Sequence, residues 1–349
     1  MDTASTHVVC SDPGIAWKKD AVVAIEAPPD IDVDPDPAAV WPDTDSRTGI
    51  CGAVTPNVVD LGDGRHRMYY TQIVPRDGFP EGANDYDHAT TRILSSVSWD
   101  LVAWTPEPGV RLSPRDGGAG KVGRVVSPDV VALPAGGLRM YYECCRGAQL
   151  EGATIRSAQS ADGLTWFREE GYRLEGGNYS APCALWTGGE TWRLYCSECG
   201  VGIVSALSED GGLTFEREPG VRIRTGELPE EMLTAFAPEV LRIASGNYRL
   251  YYAGYSDKTR ASILAAESED GLAWRKVPDP VVVPGGRFDA AKCSEMCVVA
   301  LPTSPGPAGR YRMFYEACDG TALDRRGVWR IVSATSVGNK DSADHRETL

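Results

Sequence analysis

The chain has too few basic residues to balance its acidic ones. Lys and Arg number 35 against 49 Asp and Glu, for a formal charge of −14 and a pI near 4.8. Nucleic acids and anionic membranes are held mainly by clustered Lys and Arg, so neither is an expected partner. Long hydrophobic runs are missing too. No stretch approaches the ~20 apolar residues that cross a bilayer. Met1 to Asp20 lacks the basic start and apolar run of a secretory signal. The expectation is a monomeric cytoplasmic protein. No segment sustains a 3.6-residue apolar period, so helices should be few and short.

Histidine is scarce, and His7, His66, His88 and His345 do not cluster in sequence. Cysteine is plentiful, with ten residues that should be mostly reduced in a cytoplasmic chain. Only Cys196 and Cys199 have the spacing of a zinc knuckle, and a structural zinc site usually needs two such pairs. The cysteines therefore read as small side chains buried where strands crowd together. No cofactor and no metal ligand are assigned, with a structural or axial ion the one exception left open.

What the chain does have is an internal repeat. One element reads Ser-x-Asp-Gly-x-x-aromatic, at Ser160 to Trp166 and at Ser268 to Trp274. With one inserted residue it recurs at Ser208 to Phe215, and a copy without the glycine runs from Ser98 to Trp104. Such a segment makes a tight hairpin: Asp accepts the turn's own N–H groups, Gly supplies a positive φ, and the aromatic wedges between neighbouring sheets. The hairpin aromatics lie 62, 49 and 59 residues apart, a spacing that suits four strands and their loops.

A second element occurs five times, as an apolar strand, a turn and a strand ending in aromatics. Its copies begin at Pro56, Pro128, Pro182, Pro238 and Cys297, and end at Tyr70, Tyr142, Cys196, Tyr252 and Tyr315. The fold expected is all-β: a five-bladed β-propeller of four-stranded antiparallel blades, one domain over 1–349. The blades fall near 50–106, 122–170, 178–219, 234–277 and 288–336. The last lacks its outer strand, and Ser11 to Trp17 at the opposite end is a variant of the hairpin signature. The N-terminal strand, 11–20, should therefore complete the fifth blade and leave no open edge.

In a propeller the first strand of every blade lines the axis. Asn57, Asp129, Cys183, Glu239 and, with a small offset, Glu295 then surround one funnel. Acids converging there from three blades would be unfavourable in an apolar interior unless solvated, paired or used. Asp129, Glu239 and Glu295 are the expected catalytic carboxyls, with Asn57 and Cys183 beside a substrate. Asp87 and His88 occupy a long loop of the first blade that could reach over the funnel. Glu143, Glu198 and Glu316 follow the second-strand aromatics, a recurrence that points to a structural role.

The strands reading Ser127-Pro128-Asp129-Val130 and Arg139-Met140-Tyr141-Tyr142 resemble those of the five-bladed glycoside hydrolases of families 32, 43, 62, 68 and 130. The resemblance covers essentially the whole chain as architecture. It implies that Asp129 tunes and orients a catalytic acid, and it adds Asp289, in a Gly-Gly-Arg-Phe-Asp context, as a substrate-binding residue. Where family 43 has its general-base Asp this chain has Thr55, and where it has its general-acid Glu this chain has Ser180. The function implied is a glycoside hydrolase-like enzyme using paired carboxylates on a glycoside or sugar-like small molecule. The alternatives are a propeller enzyme that tailors a non-carbohydrate small molecule, with acids or thiols as working groups, and a non-catalytic sugar-binding propeller.

Overall fold

A computed structural model describes residues 11–26, 51–75, 89–114, 124–145, 152–301, 310–321 and 327–337. These residues form strands, turns and short 3-10 turns such as Pro229–Glu231, and no α-helix. The strands group into five antiparallel meanders. From the inner strand outward, the first blade is Cys51–Asp60, His66–Pro75, Ala89–Ser98 and Thr105–Pro106. The second is Arg124–Ala132, Leu138–Cys145, Thr154–Ser160 and Phe167–Arg168. The third is Tyr179–Gly188, Thr191–Glu198, Gly202–Ser208 and Glu216–Arg217. Thr234–Arg242, Tyr248–Asp257, Arg260–Ser268 and Arg275–Lys276 make the fourth.

The fifth blade joins both ends of the described chain. Lys292–Ala300, Tyr311–Cys318 and Val328–Ser336 are completed by Trp17–Ile25, which pairs Trp17 with Ser336 and Lys19 with Ala334. The expected N-terminal closure is thus present. Direction separates the blades: pairing within each is antiparallel, while short parallel bridges (Gly52 to Trp329, Ala261 to Lys292) fuse three of them into one continuous sheet. The inner strands touch one another in a closed cycle of five.

The hairpin signature behaves as its chemistry requires. Ser160 Oγ accepts the Gly163 N–H at 2.8 Å, and Asp162 Oδ1 accepts those of Leu164 and Thr165, each at 2.8 Å. Gly163 has φ +72°, and a Cβ there would sit 2.6 Å from the Tyr69 hydroxyl, so glycine is needed twice over. The hairpin aromatic then packs edge-on against a second-strand aromatic of the preceding blade. The five pairs are Trp166 on Tyr69, Phe215 on Tyr141, Trp274 on Tyr195, Trp17 on Tyr251 and Trp104 on Phe314, with centroids 5.4–6.1 Å apart. In four of them the tyrosine hydroxyl also donates to a hairpin glycine carbonyl. The fifth pairs Phe314, which has no hydroxyl, with the hairpin in which Leu101 takes the place of glycine at φ +60°.

A second set of contacts braces four of the blades from within. Arg67, Arg139 and Arg193 each make a two-pronged bond to the carboxylate directly after the outer strand, Glu107, Glu169 and Glu218, which also accepts a serine hydroxyl. In the fifth blade Ser333 donates to Asp20, with Arg312 3.4 Å from that carboxylate. The fourth blade has Ala265 and Val277 at these places, and its Arg249 crosses the blade boundary to Asp12, at 2.6 and 3.0 Å, with Glu267 of its own blade 3.5 Å away.

Candidate functional site

Each inner strand is interrupted at the same point. The ladder slips between Val54 and Asn57, Val126 and Asp129, Ser180 and Cys183, Phe236 and Glu239, and Ser294 and Met296. In four blades the bulge contains a residue before proline that adopts a left-handed backbone: Thr55 (φ +54°), Ser127 (+52°), Ala181 (+46°) and Ala237 (+50°). Such a conformation is strained for any residue with a Cβ, and most of all for a β-branched one. It is held from outside. The Thr55 N–H donates to Glu316 Oε2 at 3.1 Å, Ser127 to Thr71 Oγ1 at 3.2 Å, and Ala237 to Ser197 Oγ at 2.8 Å.

The residues after the prolines form a closed girdle. Each side chain accepts the N–H one residue beyond its counterpart in the next blade. Asn57 Oδ1 accepts Val130 N–H at 3.0 Å, Asp129 Oδ2 accepts Ala184 N–H at 2.7 Å, and Cys183 Sγ accepts Val240 N–H at 3.3 Å. Glu239 Oε1 accepts Val298 N–H at 2.9 Å, and the Cys297 thiol accepts Val58 N–H. The girdle corrects one expected position. Cys297, paired with Phe314 as Asn57 is with Tyr69, is the fifth counterpart. Glu295 lies two residues earlier, level with Thr55 and Ser127, and the slip follows from Met296 standing where the other blades have proline.

Thr55, Asn57, Ser127, Asp129, Glu239 and Glu295 line an axial pocket of about 30 Å³, room for a group little larger than a water molecule. Among the described residues its wall carries three carboxyls and no Lys, Arg or His. Burial pushes Asp129 up to about 7 and Glu239 up to about 8, the latter helped by the nearby Asp129 charge. Both acids keep much of their proton at neutral pH. The oxygens of Asp129 are engaged by Ala184 N–H and by Asn57 Nδ2 at 3.1 Å. Among the described residues the hydrogen-bond partner of Glu239 Oε2 is the Cys183 thiol, at 4.0 Å. Glu295, 5% exposed, accepts the Ser127 hydroxyl at 3.0 Å.

Four of the expected residues, Asn57, Asp129, Glu239 and Glu295, thus meet at one pocket. Cys183 belongs to the girdle, but it is buried, does not line the pocket, and has its thiol pushed well up by burial. Asp289 lies elsewhere. It receives Lys19 at 2.5 Å, Gly286 N–H at 2.7 Å and the Tyr315 hydroxyl at 2.9 Å, and so latches the N-terminal strand to the fifth blade. Asp87 and His88 fall outside the described residues.

Thiol chemistry at the axis has no support: Cys144, Cys145, Cys183 and Cys297 are all buried, and burial raises the pKa of the last two well above the ordinary value. Cys196 is buried and Cys199 exposed, and no metal-holding cluster of His, Cys, Asp and Glu occurs among the described residues. Glu143 pairs with Arg124 at 2.8 Å and Glu198 with Arg217 at 2.9 Å, while Glu316 holds Thr55 and Ser294, all structural work. The register places Ser197, not Glu198, level with Glu143 and Glu316. A larger open cleft of about 500 Å³ lies at the rim beside Arg249, Tyr248 and Trp274, away from the axial acids.

Ser127 and its hydrogen bond to Glu295 are the feature of the pocket that sequence reasoning missed. The signal was a hydroxyl residue before proline in a position where two other blades have alanine.

No protein-family model matches the chain, and no curated protein matches it. Solved structures do. A thermostable family-43 glycoside hydrolase aligns at 18% identity over 83% of this chain and 91% of its own, with a TM-score of 0.64. A structure from the family-130 mannoside phosphorylases, which contain glycoside hydrolases that target β-1,2 mannosidic linkages in Candida mannan, aligns at 14% identity over 91% and 96%, TM-score 0.60. An N-acetylgalactosamine deacetylase from F. plautii, solved with blood group B trisaccharide, aligns at 16% identity over 91% and 95%, TM-score 0.62. The chain has the propeller fold of the family 43 and 130 glycoside hydrolases, at the low identity of a divergent sequence.

Proposed function

We propose that the chain is a glycoside hydrolase-like enzyme that works on a sugar substrate at the axial pocket. The observation that carries this reading is the convergence of Asp129, Glu239 and Glu295, from three blades, on one pocket in a fold shared with glycosidases. The girdle supports it. Asn57, Cys183 and Cys297 accept a neighbouring N–H without a buried carboxyl, so Asp129 and Glu239 exceed what the fold demands. A carboxyl near pKa 8 with an oxygen left for substrate suits Glu239 to protonating a leaving oxygen, as a general acid must. Glu295 supplies the second carboxyl, and Asp129 positions and tunes the pair. The test is turnover of a panel of 4-nitrophenyl glycosides. Glu239→Gln should lower kcat by roughly 100-fold or more, and a wild-type rate in a folded Glu239→Gln or Glu295→Gln would overturn the assignment.

A non-catalytic sugar-binding propeller is the second reading. It is favoured by Thr55 and Ser180 at the two places where family 43 carries its proton-transferring acids. Sugar binding by calorimetry, with no turnover of any glycoside, would establish it.

A further inference from the structure

No counterpart of Ser127 in the other blades has all three of its features. These are a nucleophilic hydroxyl that lines the axial pocket, a left-handed backbone (φ +52°), and a hydrogen bond of 3.0 Å to a buried carboxyl, that of Glu295. Thr55 has the hydroxyl and the backbone, but its Oγ1 is bonded to Thr71 Oγ1 at 2.7 Å, and Ala181 and Ala237 have no hydroxyl. A hydroxyl within hydrogen-bonding reach of a base, on a strained bulge held by its neighbours, is the arrangement of an activated nucleophile.

We propose that Ser127 and Glu295 form a nucleophile–base pair that removes short O-acyl groups, such as acetyl, from an esterified sugar or similar alcohol. The Ser127 Oγ attacks the acyl carbon while its proton passes to Glu295. The bond from the acyl carbon to the alcohol oxygen breaks, and that oxygen takes the proton. Water then attacks the acyl-Ser127 ester, gives a proton to Glu295, and Ser127 regains it as the carboxylic acid leaves. The net change is ester plus water to alcohol plus acid, with no other reactant. The narrowness of the pocket, about 30 Å³, favours a short acyl group over a long one. Glu239, which keeps its proton to about pH 8 in the same pocket, is a neutral donor of the kind that steadies a developing oxyanion.

This activity is separate from the glycosidase reading, although both use Glu295. The experiment incubates the full chain with 4-nitrophenyl acetate, follows nitrophenolate, and maps acetylated residues by mass spectrometry after an acid quench. Acetyl should appear on Ser127. Ser127→Ala should lose it together with at least ~100-fold in turnover, and Glu295→Gln should slow acetylation by a similar factor. The alanine variant should fold, because Ala181 and Ala237 already hold the same backbone conformation at φ +46° and +50°. Thermal melting checks that it does. An unmodified Ser127, or wild-type turnover in a folded Ser127→Ala, would overturn the inference. Glycoside turnover without Ser127 acetylation sinks this proposal alone, and Ser127 acetylation without glycoside turnover sinks the other alone.

Discussion

At the rim, the position that holds Trp104 in the first blade holds Trp166, Phe215, Trp274 and Trp17 in the others, and each ring meets its neighbour edge-on. Round the axis, the position that holds Asn57 holds Asp129, Cys183, Glu239 and Cys297, although all five side chains accept the same kind of backbone N–H. At the rim the geometry of stacked sheets asks for one large flat group, and every blade supplies it. The axial bond asks only for an acceptor, so residue identity there is available for chemistry. The fourth blade shows that the rim tolerates a loss. With Ala265 and Val277 in place of the serine and the carboxylate, its arginine finds Asp12 across the closing seam.

The largest effect should come from breaking the rim. Phe215→Ala empties a buried site against Tyr141 and should destabilise the fold by about 3–5 kcal/mol, read from urea unfolding. The braces rank next. Arg139→Met leaves Glu169 with only Ser157 and Gln159 and should lose about 2 kcal/mol. Arg249→Met should lose about 1 kcal/mol, because its partners Asp12 and Glu267 are 38% and 35% exposed. Equal losses would mean that the seam is braced as firmly as a complete blade.

The axis is sharpened by pH. Asp129 and Glu239 titrate near 7 and 8 when folded, from starting values of 3.8 and 4.5, so between about pH 4 and 8 the folded chain holds protons that the unfolded chain has released. The stability contributed by these two acids must therefore fall as pH rises through that window. Asp129→Asn and Glu239→Gln should each flatten the decline in melting temperature, by up to about 1 kcal/mol per pH unit in free energy. An unchanged slope would mean that neither acid holds its proton.

Much of the architecture was legible because it is written in local chemistry repeated along the chain. Ser-x-Asp-Gly makes its own turn, so copies at 160, 208 and 268 announced the hairpins, and the stray copy ending at Trp17 announced the closure. The axial acids were found by counting from the prolines, and the count failed where the proline was absent. Met296 shifted the fifth register and left Glu295 beside Ser127 rather than in the girdle. Asp289 was misplaced for another reason: its partner Lys19 is at the far end of the chain, and no local pattern links the two.

What the sequence determined by itself is the ring: five units, their turns, and the strand that closes them, all set by contacts between near neighbours or by repetition of one motif. Tertiary structure alone decided what each axial side chain does. Asp129 and Glu239 acquire proton-holding character only through burial by other blades. Ser127 meets Glu295 across 168 residues only because the second and fifth blades face the same axis. The reactive pairing belongs to the closed ring, since no single blade contains both of its members.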